Sequence, residues 1–436
     1  MTNIFQRKIN LFTQCITLSA ASIFSLNAYS DITPESMAGV APGCSSSGTD
    51  TACWQGAINA ATTPITAGDG PRFATVAGEA GKVYTITDTI KICGASNGVI
   101  DGHGAQLLWQ GGSGKPMFLV VGSNSMRFTN FTIRAYATSP KALDTAFEFT
   151  SAPTSGFSYT TALPAGDCPN GLPTTSSKNS IDQVSVDGTT AGGLNYGVRF
   201  SNRYGVNGDE GINNDMSTII DSSFYNVTSA VVKIEHGQSH QHRLISVNGF
   251  ATEGNTNGCF VEGLRGFFSS TGGFQWGWGK ANFCVDRTYG TFDINESNSE
   301  GSKRLLAAGD EGDNNSYPVS VNIHGGRFAV NGLHSDGKVI DFNRLGPLVV
   351  VGLHIDGTPP SGVQPKISMQ PGQRIAPPVT TVASAIVNGV SFDTAGSVSS
   401  STWDTLVVKS FVDLVAKGNL CSNAAGNTQP CTILRN

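Results

Sequence analysis

Apolar and polar residues alternate in short runs through most of the chain, a pattern typical of half-buried strands. Runs such as KVYTITDTIKI, PMFLVVG and MRFTNFTIRA are separated by Gly, Asn, Asp and Ser, which favour turns. An early stretch differs, because Trp54, Ala57, Ile58 and Ala61 share one face of a helix. The pattern therefore predicts one amphipathic helix followed by many short strands.

Two kinds of strand-like segment alternate from about residue 181. VSVDG, ISVNGF and FDINES belong to the first kind, and YGVRFS, VVKIEH and FCVDRT to the second. Members of each kind recur at intervals of roughly 21 to 35 residues, a period typical of solenoids. Equivalent strands of a β-solenoid pair one coil apart, at about 4.8 Å, so that inward side chains stack in rows. The repeat predicts an all-β right-handed parallel β-helix with an N-terminal capping helix and a C-terminal capping segment.

Two rival folds fit the pattern less well. A globular α/β enzyme would need repeated amphipathic helices between its strands, and a β-sandwich would need antiparallel hairpins at shorter spacing. The C-terminal run TWDTLVVKSFVDLVAKG has a helical pattern, with Trp403, Leu406, Val407 and Phe411 on one face. The expected organisation is a signal peptide (1–30), an N-terminal segment with the capping helix (31–70), the β-helix (71–360), and the last coils with the C-terminal cap (361–436).

The N-terminus has the features of an export signal. Arg7 and Lys8 precede the apolar run ITLSAASIFSL, and small residues surround Tyr29. No later run approaches the roughly 20 apolar residues that span a bilayer. We expect a secreted or periplasmic protein that does not insert into a membrane.

The cysteines agree with export. The chain has nine, and Cys15 lies within the signal, which leaves an even number. Even numbers in an exported chain favour disulfides, while the absence of a CxxC pair disfavours a metal site. Cys44–Cys53 and Cys421–Cys431 are the sequence-local pairings.

Charge is scarce. Only 14% of residues are Asp, Glu, Lys or Arg, and the net charge is −5. This balance argues against nucleic acid or an anionic membrane surface as a partner. The segment KIEHGQSHQHRL, residues 233–244, stands out against that background.

The segments TACWQGAINAA, GKVYTITDTIKI and GVIDGHGAQLLW together resemble the opening of the pectate-lyase (pectin lyase-like) superfamily, over roughly residues 50–110. The resemblance implies a single-stranded right-handed β-helix and a carbohydrate ligand. It does not fix the reaction, because the superfamily includes polysaccharide lyases, glycoside hydrolases, epimerases and phage tailspikes.

Aligning the second series of segments predicts rows of equivalent residues. The inward row is Phe200, Ile234, Val261, Val285 and Ile340, and the outward row is Ser201, Glu235, Glu262, Asp286 and Asp341. Carboxylates on neighbouring coils, about 5 Å apart, would suit a retaining glycosidase, and a skipped coil would suit inversion. A disulfide between Cys259 and Cys284 would instead place Arg287 beside Glu262.

The histidine cluster allows three interpretations: a proton shuttle near neutral pH, a hydrogen-bonded structural turn, or a metal site. Gly237 within a turn disfavours zinc, because two zinc ligands four residues apart suit a helix. The candidate catalytic residues are Glu235, Glu262, Asp286, His236, His240, His242, Arg243 and Arg265.

Substrate binding is predicted for the glycine-rich segment GGFQWGWGKANF, since sugars pack on flat aromatic faces. The candidate binding residues are Trp276, Trp278, Lys280, Arg287, Asp209 and Glu210. We expect no cofactor, with calcium as the remaining candidate at the acidic loop of Asp310, Glu311 and Asp313.

The resulting hypothesis is an exported carbohydrate-active enzyme that cleaves a polysaccharide or oligosaccharide in a groove on the side of the β-helix. Hydrolysis would use the carboxylates. Lyase chemistry would use an arginine to neutralise a uronate and a histidine to remove a proton. The alternative is a non-catalytic carbohydrate-binding or surface protein, and the oligomeric state stays open.

Overall fold

The computed structural model of the chain is a parallel β-solenoid. It describes residues 50–63, 72–73, 75–135, 143–151, 168, 175–189, 193–201, 203, 214–235, 240–263, 266–285, 290–309, 319–371, 383–394, 404–409, 412–422 and 428–435. The predicted signal peptide lies outside these residues, and it stays a prediction, as do the domain boundaries.

Each coil contributes strands to three parallel sheets, which run along the solenoid. Sheet 1 contains β3 (Val76–Ala77), β6 (Val99–Asp101), β9 (Arg127–Thr129), β12 (Ser180–Asp182), β15 (Ser217–Ile220), β17 (Gln241–Ile245), β20 (Gly266–Thr271), β23 (Gly290–Asn295), β26 (Val319–His324), β29 (Gly346–Val351), β32 (Ala383–Asn388) and β35 (Asp413–Lys417).

Sheets 2 and 3 follow sheet 1 in each coil, and the long strand β16 (Ser223–Ile234) joins them. Sheet 2 also contains β4 (Val83–Ile86), β7 (Gln106–Trp109), β10 (Thr132–Ala135), β13 (Ser185–Asp187), β18 (Asn248–Ala251), β21 (Phe274–Trp276), β24 (Asn298–Glu300), β27 (Arg327–Ala329), β30 (His354–Gly357), β33 (Ser391–Thr394) and β36 (Leu420–Ser422). Sheet 3 also contains β5 (Ile90–Cys93), β8 (Pro116–Val121), β11 (Leu143–Thr150), β14 (Leu194–Ser201), β19 (Cys259–Glu262), β22 (Ala281–Val285), β25 (Leu306–Ala308), β28 (Lys338–Phe342), β31 (Lys366–Met369), β34 (Asp404–Val408) and β38 (Thr432–Arg435).

A few short elements lie outside this pattern. The antiparallel pair β1 (Thr62–Thr63) and β2 (Arg72–Phe73) precedes the coils, β37 (Thr428–Pro430) runs antiparallel to β36, and a 3₁₀ turn spans Val330–Gly332. The predicted all-β, right-handed parallel β-helix is confirmed.

The core is built from rows of inward side chains. One row crosses sheet 3 from coil to coil, with every member buried: Val198, Val232, Val261, Phe283, Leu306, Ile340, Ile367 and Leu406. Aromatic rings fill the earlier coils, where Phe147 stacks on Phe118 at 5.3 Å and contacts Phe128 at the same distance. Because each strand is short, these rows provide the apolar burial that holds neighbouring coils together.

The predicted inward row is wrong after its first step. Ile234 does pair with Phe200, but Val261 pairs with Val232, two residues earlier in β16. Val285 in turn pairs with Ala308 instead of lying directly above Val261. Equivalent strands therefore end at different points on neighbouring coils, which a constant sequence offset cannot capture.

The predicted N-terminal helix is confirmed as α1 (Asp50–Ala61), with Trp54 in the core. Its side chains also serve the backbone of the first coil. Asp50 accepts a hydrogen bond from the N–H of Thr85 (2.6 Å), and Gln55 bonds both the N–H and the carbonyl of Lys91 (2.8 and 2.9 Å). The helix thus supplies polar partners that a preceding coil would otherwise provide.

The helical prediction for the C-terminal run is wrong. Leu406 and Val408 point inward from β34, and β35 alternates in the same way. Trp403 and Phe411 lie outside the described residues. The run is rich in β-branched valines, which pack well on a pleated surface, and the preceding coil offers a ladder to pair with.

Disulfides support the predicted oxidising environment. Cys421–Cys431 is confirmed, Cys259 pairs with Cys284, and Cys93 pairs with Cys168. Cys53 is also disulfide-bonded, while Cys44 lies outside the described residues. No helix among the described residues is long and apolar enough to cross a bilayer.

The aromatic stack should dominate stability in the early coils. Replacing Phe147 by alanine would leave a cavity between Phe118 and Phe128, and we expect a loss of about 3–5 kcal/mol in urea unfolding. Val83→Ala, at a residue that is 52% exposed, should change the unfolding free energy by less than about 0.5 kcal/mol. Equal effects of the two substitutions would contradict this view of the core.

Candidate functional site

The structure distributes the predicted site residues over different surfaces. Glu235 and Glu262 lie on the outer side of sheet 3, Arg243 faces outward from sheet 1, and Trp276 ends a strand of sheet 2. His236, Arg265, Asp286, Arg287, Asp209 and Glu210 lie outside the described residues, as do Asp310, Glu311 and Asp313.

The outer side of sheet 3 carries a charged row, which we define as Asp144, Glu148, Arg199, Lys233, Glu235 and Glu262. Glu148, Arg199, Lys233 and Glu262 occupy equivalent positions on consecutive coils. Opposite charges therefore meet within this row.

Ion pairs engage both predicted catalytic carboxylates. Arg199 donates to Glu235 through Nε (2.8 Å) and Nη2 (2.6 Å), and Lys233 Nζ lies 2.5 Å from Glu262. Burial disfavours the charge on Arg199, but Glu235 and Glu148 outweigh it, so the pKa of Arg199 is raised. The register places Glu262 opposite Lys233, and Glu235 lies two residues after Lys233, directly beyond the end of β16.

Glu148 lies at the buried end of the charged row. It is fully buried, accepts a hydrogen bond from the Ser201 hydroxyl (2.6 Å) and pairs with Arg203 (2.9 Å). These partners offset the cost of burying a carboxylate. The row therefore resembles a satisfied ion-pair network more closely than an open acid/base pair.

His240 and His242 point into the core, which corrects the prediction that they form a rim. Both are buried, and the His242 ring stacks on Phe200 at 3.8 Å. Nδ1 of His240 lies 3.1 Å from Nε2 of His242. Burial, and secondarily the neighbouring His240, lower the pKa of His242 well below its ordinary value. A histidine buried in the core cannot contact a polysaccharide, so a structural role replaces the proton-shuttle hypothesis for this pair.

Three other candidate residues also lie apart from the charged row. Arg243 pairs with Thr218 and Ser269 along sheet 1, away from the charged row. Trp278 is fully buried and donates through Nε1 to the carbonyl of Gly249 (3.3 Å), so it is not available to a sugar. Lys280 lies half-buried between sheets 2 and 3.

Sheet 2 exposes a run of aromatic rings on its outer side. Tyr225 stacks on Phe250, with ring centroids 4.8 Å apart and planes 10° from parallel. Trp276 follows one coil later, paired with Phe250 in the ladder, and is 41% exposed. Phe274 adds a ring 5.8 Å from Phe250. Tyr225 and Trp276 are thus exposed, while Phe250 and Phe274 are half-buried.

Charged groups continue the same surface on the next coils. Glu300 pairs with Trp276 in the ladder, and Arg327 joins Glu300 to Asp356 with hydrogen bonds of 2.7 Å each. These bonds, led by the one to Asp356, raise the pKa of Arg327. His354 stands 3.5 Å from Asp356. We name Tyr225, Phe250, Trp276, Glu300, Arg327 and Asp356 the aromatic–carboxylate surface.

Sequence reasoning missed most of this surface, although a signal existed. Strands that end or directly follow segments of the first series read NGF, FQW, NSE and HIDG, and their third residues are Phe250, Trp276, Glu300 and Asp356. Aligning that series for outward positions, as was done for the second, would have brought these residues together. No cluster of three or more metal-ligating side chains is found among the described residues.

Comparison with known proteins finds distantly similar solved structures. No protein-family model and no curated protein sequence matches the chain. Solved structures similar to it include endo-xylogalacturonan hydrolase from Aspergillus tubingensis, at 11% identity over 88% of this chain and 92% of that one, with a TM-score of 0.43.

Two further solved structures are similar. One is the tailspike protein of E. coli bacteriophage HK620 in complex with a pentasaccharide, at 11% identity, 86% and 63% coverage of this chain and that one, and a TM-score of 0.34. The other is an alpha-1,3-glucanase from Streptomyces thermodiastaticus, at 10% identity, 88% and 69% coverage, and a TM-score of 0.26. These likenesses carry no argument about reaction or substrate. The described coils themselves have the architecture of a pectin lyase-like β-helix.

The buried histidine pair should make stability depend on pH. The pKa of His242 is lower in the folded than in the unfolded chain, so at about pH 6 the unfolded chain binds a proton at this residue and the folded chain does not. The free energy of unfolding therefore falls as the pH drops below about 6.5. We expect His242→Gln to make urea stability fall less steeply between about pH 6.5 and 5, by up to about 1.4 kcal/mol per pH unit.

The matched control is His324→Gln, because His324 is exposed at the end of β26. This substitution should leave the slope of stability against pH unchanged. An unchanged slope for His242→Gln would contradict the assignment of the acid-sensitive group.

Proposed function

We propose that the chain is an exported carbohydrate-active enzyme that cleaves a polysaccharide lying along the outer side of sheet 2. The observation that carries the proposal is the aromatic–carboxylate surface, where an exposed tryptophan on one coil is followed by two carboxylates and an arginine on the next three. Export is supported by the disulfides.

The surface combines the two kinds of group that sugar recognition needs. Tyr225 and Phe250 cover each other's ring faces, so Trp276 is the ring best placed to pack against a sugar. Glu300, Arg327 and Asp356 offer acceptors and donors for hydroxyl groups. Since these residues follow one another along the solenoid, a bound polysaccharide would lie parallel to the solenoid axis.

Hydrolysis fits this surface better than elimination. Ala329 separates Glu300 from Asp356 in the ladder, so their backbones lie two coils, or about 9.6 Å, apart. The ranges that separate inverting from retaining glycosidases are distances between carboxyl groups, and both carboxyl groups here converge on Arg327, so the backbone spacing does not choose between the two outcomes. The proposed roles are general acid for one carboxyl and general base for the other. The general acid must carry a proton, so its carboxyl group would have to leave the ion pair with Arg327.

Lyase chemistry would need a cation for the carboxylate of a uronic acid. Arg327 already donates to Glu300 and Asp356, and Asp393 faces outward one coil beyond Asp356. A polyuronate would therefore meet excess negative charge here. This balance favours a neutral polysaccharide as the substrate class.

A non-catalytic carbohydrate-binding protein is the second candidate. The observation that favours it is the pairing of carboxylates with cations: Glu235 with Arg199, Glu262 with Lys233, and both Glu300 and Asp356 with Arg327. Binding through Trp276 would need no unpaired acid.

Binding should depend on the exposed tryptophan. We expect Trp276→Ala to weaken affinity for the best polysaccharide of a panel by on the order of tenfold or more, because aromatic anchors carry much of the binding energy in such surfaces. Isothermal titration or affinity electrophoresis would measure the change. Phe267→Ala is the control, since Phe267 is 42% exposed but lies on sheet 1. Equal losses in both variants would count against the proposed surface.

Substitutions in the two sets of carboxylates should affect the rate of cleavage differently. We expect Glu300→Gln and Asp356→Asn each to lower kcat by roughly 100-fold or more, as loss of a general acid or base does. Glu235→Gln and Glu262→Gln should lower it far less. Reducing ends measure hydrolysis, and ultraviolet absorbance of an unsaturated uronide reports elimination.

The same assay decides between the candidate functions. Turnover lost only in the Glu235 and Glu262 variants would move the chemistry to the charged row. Polysaccharide binding without turnover in the wild-type protein would instead establish the binding function.

A further inference from the structure

The two ends of the solenoid differ in how completely the apolar core is covered. At the N-terminal end, α1 covers the first coil, and the inward residues Val76, Tyr84 and Ile90 are fully buried. At the C-terminal end, Ile433 is 44% exposed, although Leu406, its ladder partner one coil earlier, is only 1% exposed. The apolar core therefore lacks a complete cover at this end within the described residues.

The last strand of sheet 1 shows the same feature. Leu414 and Ala416 pack against the core but stay half-exposed, whereas their ladder partners Ala385 and Val387 are buried. β35 pairs with β32 on one side, and no described strand pairs with its other edge. Such an edge is a template for another strand.

Outward side chains lead up to this edge with an apolar row. Val349, Ile386 and Val415 are ladder neighbours on consecutive coils of sheet 1. Exposure increases towards the end: Val349 is half-buried, and Val415 is 48% exposed. Apolar exposure along this row is thus greatest at the outer edge of the sheet, which no described strand pairs with.

The charges of β35 are self-complementary. Asp413 and Lys417 flank Val415 at equal spacing, and all three are exposed on the same side. If two copies of β35 pair in antiparallel fashion about Val415, Asp413 of each copy lies opposite Lys417 of the other. A twofold axis repeats this pair, as an isologous interface requires.

We propose that the C-terminal end of the solenoid is a dimer interface, in which β35 pairs antiparallel with β35 of a second copy of this chain. The pairing gives hydrogen-bond partners to the β35 edge that no described strand pairs with, and it continues the apolar row of Val349, Ile386 and Val415 into its symmetric equivalent. It also brings the half-exposed Leu414 and Ala416 of the two copies together, which extends the core across the interface. The partner is a second copy because, in an antiparallel pair, Asp413 and Lys417 of one β35 face Lys417 and Asp413 of the other.

Charge reversal tests the pairing. Sedimentation equilibrium of the disulfide-bonded mature protein should show a dimer, and Lys417→Asp should weaken self-association by on the order of tenfold or more, because two Asp–Asp contacts replace two ion pairs. Asp413→Lys should have the same effect through two Lys–Lys contacts. Mixing the two variants should restore the dimer, since each lysine then meets an aspartate.

A second substitution acts on the same interface without relying on the ion pairs. Val415→Lys places two lysines opposite each other on the proposed axis and should give monomers. Val83→Lys, at a comparably exposed valine in the first coil, should leave the dimer intact.

Three results would overturn the proposal. These are a wild-type protein that stays monomeric across the concentration range, equal behaviour of Val415→Lys and Val83→Lys, and failure of the two charge variants to associate when mixed.

Discussion

The parallel hydrogen-bonded ladder between consecutive coils is the constraint on which the rest of the structure depends. Each residue of a strand has its neighbour one coil away, so inward and outward positions continue as rows along the solenoid. The core row from Val198 to Leu406 and the run from Tyr225 to Asp356 both follow from this pairing. A change of register by two residues alters which side chains meet.

The same ladder explains why charge is distributed as it is. On sheet 3 it places Arg199 and Lys233 between acids, where Arg199 pairs with Glu235 and Lys233 with Glu262, while the fully buried Glu148 pairs with Arg203. On sheet 2 it places Trp276 beside Glu300, where both are open to solvent. Similar residue types therefore form a structural network on one side of the solenoid and an accessible surface on another.

The ladder also has two ends, and different groups are found at each. Asp50 and Gln55 of α1 supply hydrogen-bond partners at the first coil, where the described residues contain no earlier coil. β35 at the last coil has self-complementary charges and half-exposed core residues instead. Closing one end with a helix and the other with a second copy would satisfy both edges of one fold.

The sequence by itself determined the class of fold, because the alternation of apolar residues, the recurring period and the helix around Trp54 are local patterns. It also determined Cys421–Cys431, whose partners are close along the chain. It could not determine register, since that depends on turns and bulges in three dimensions; Glu262 consequently meets Lys233 instead of Glu235. Trp276 and Trp278 show the limit most clearly. They stand two residues apart, yet the turn at Gly277 (φ +76°) ends the strand, so only the tertiary structure decided that one ring is exposed and the other buried.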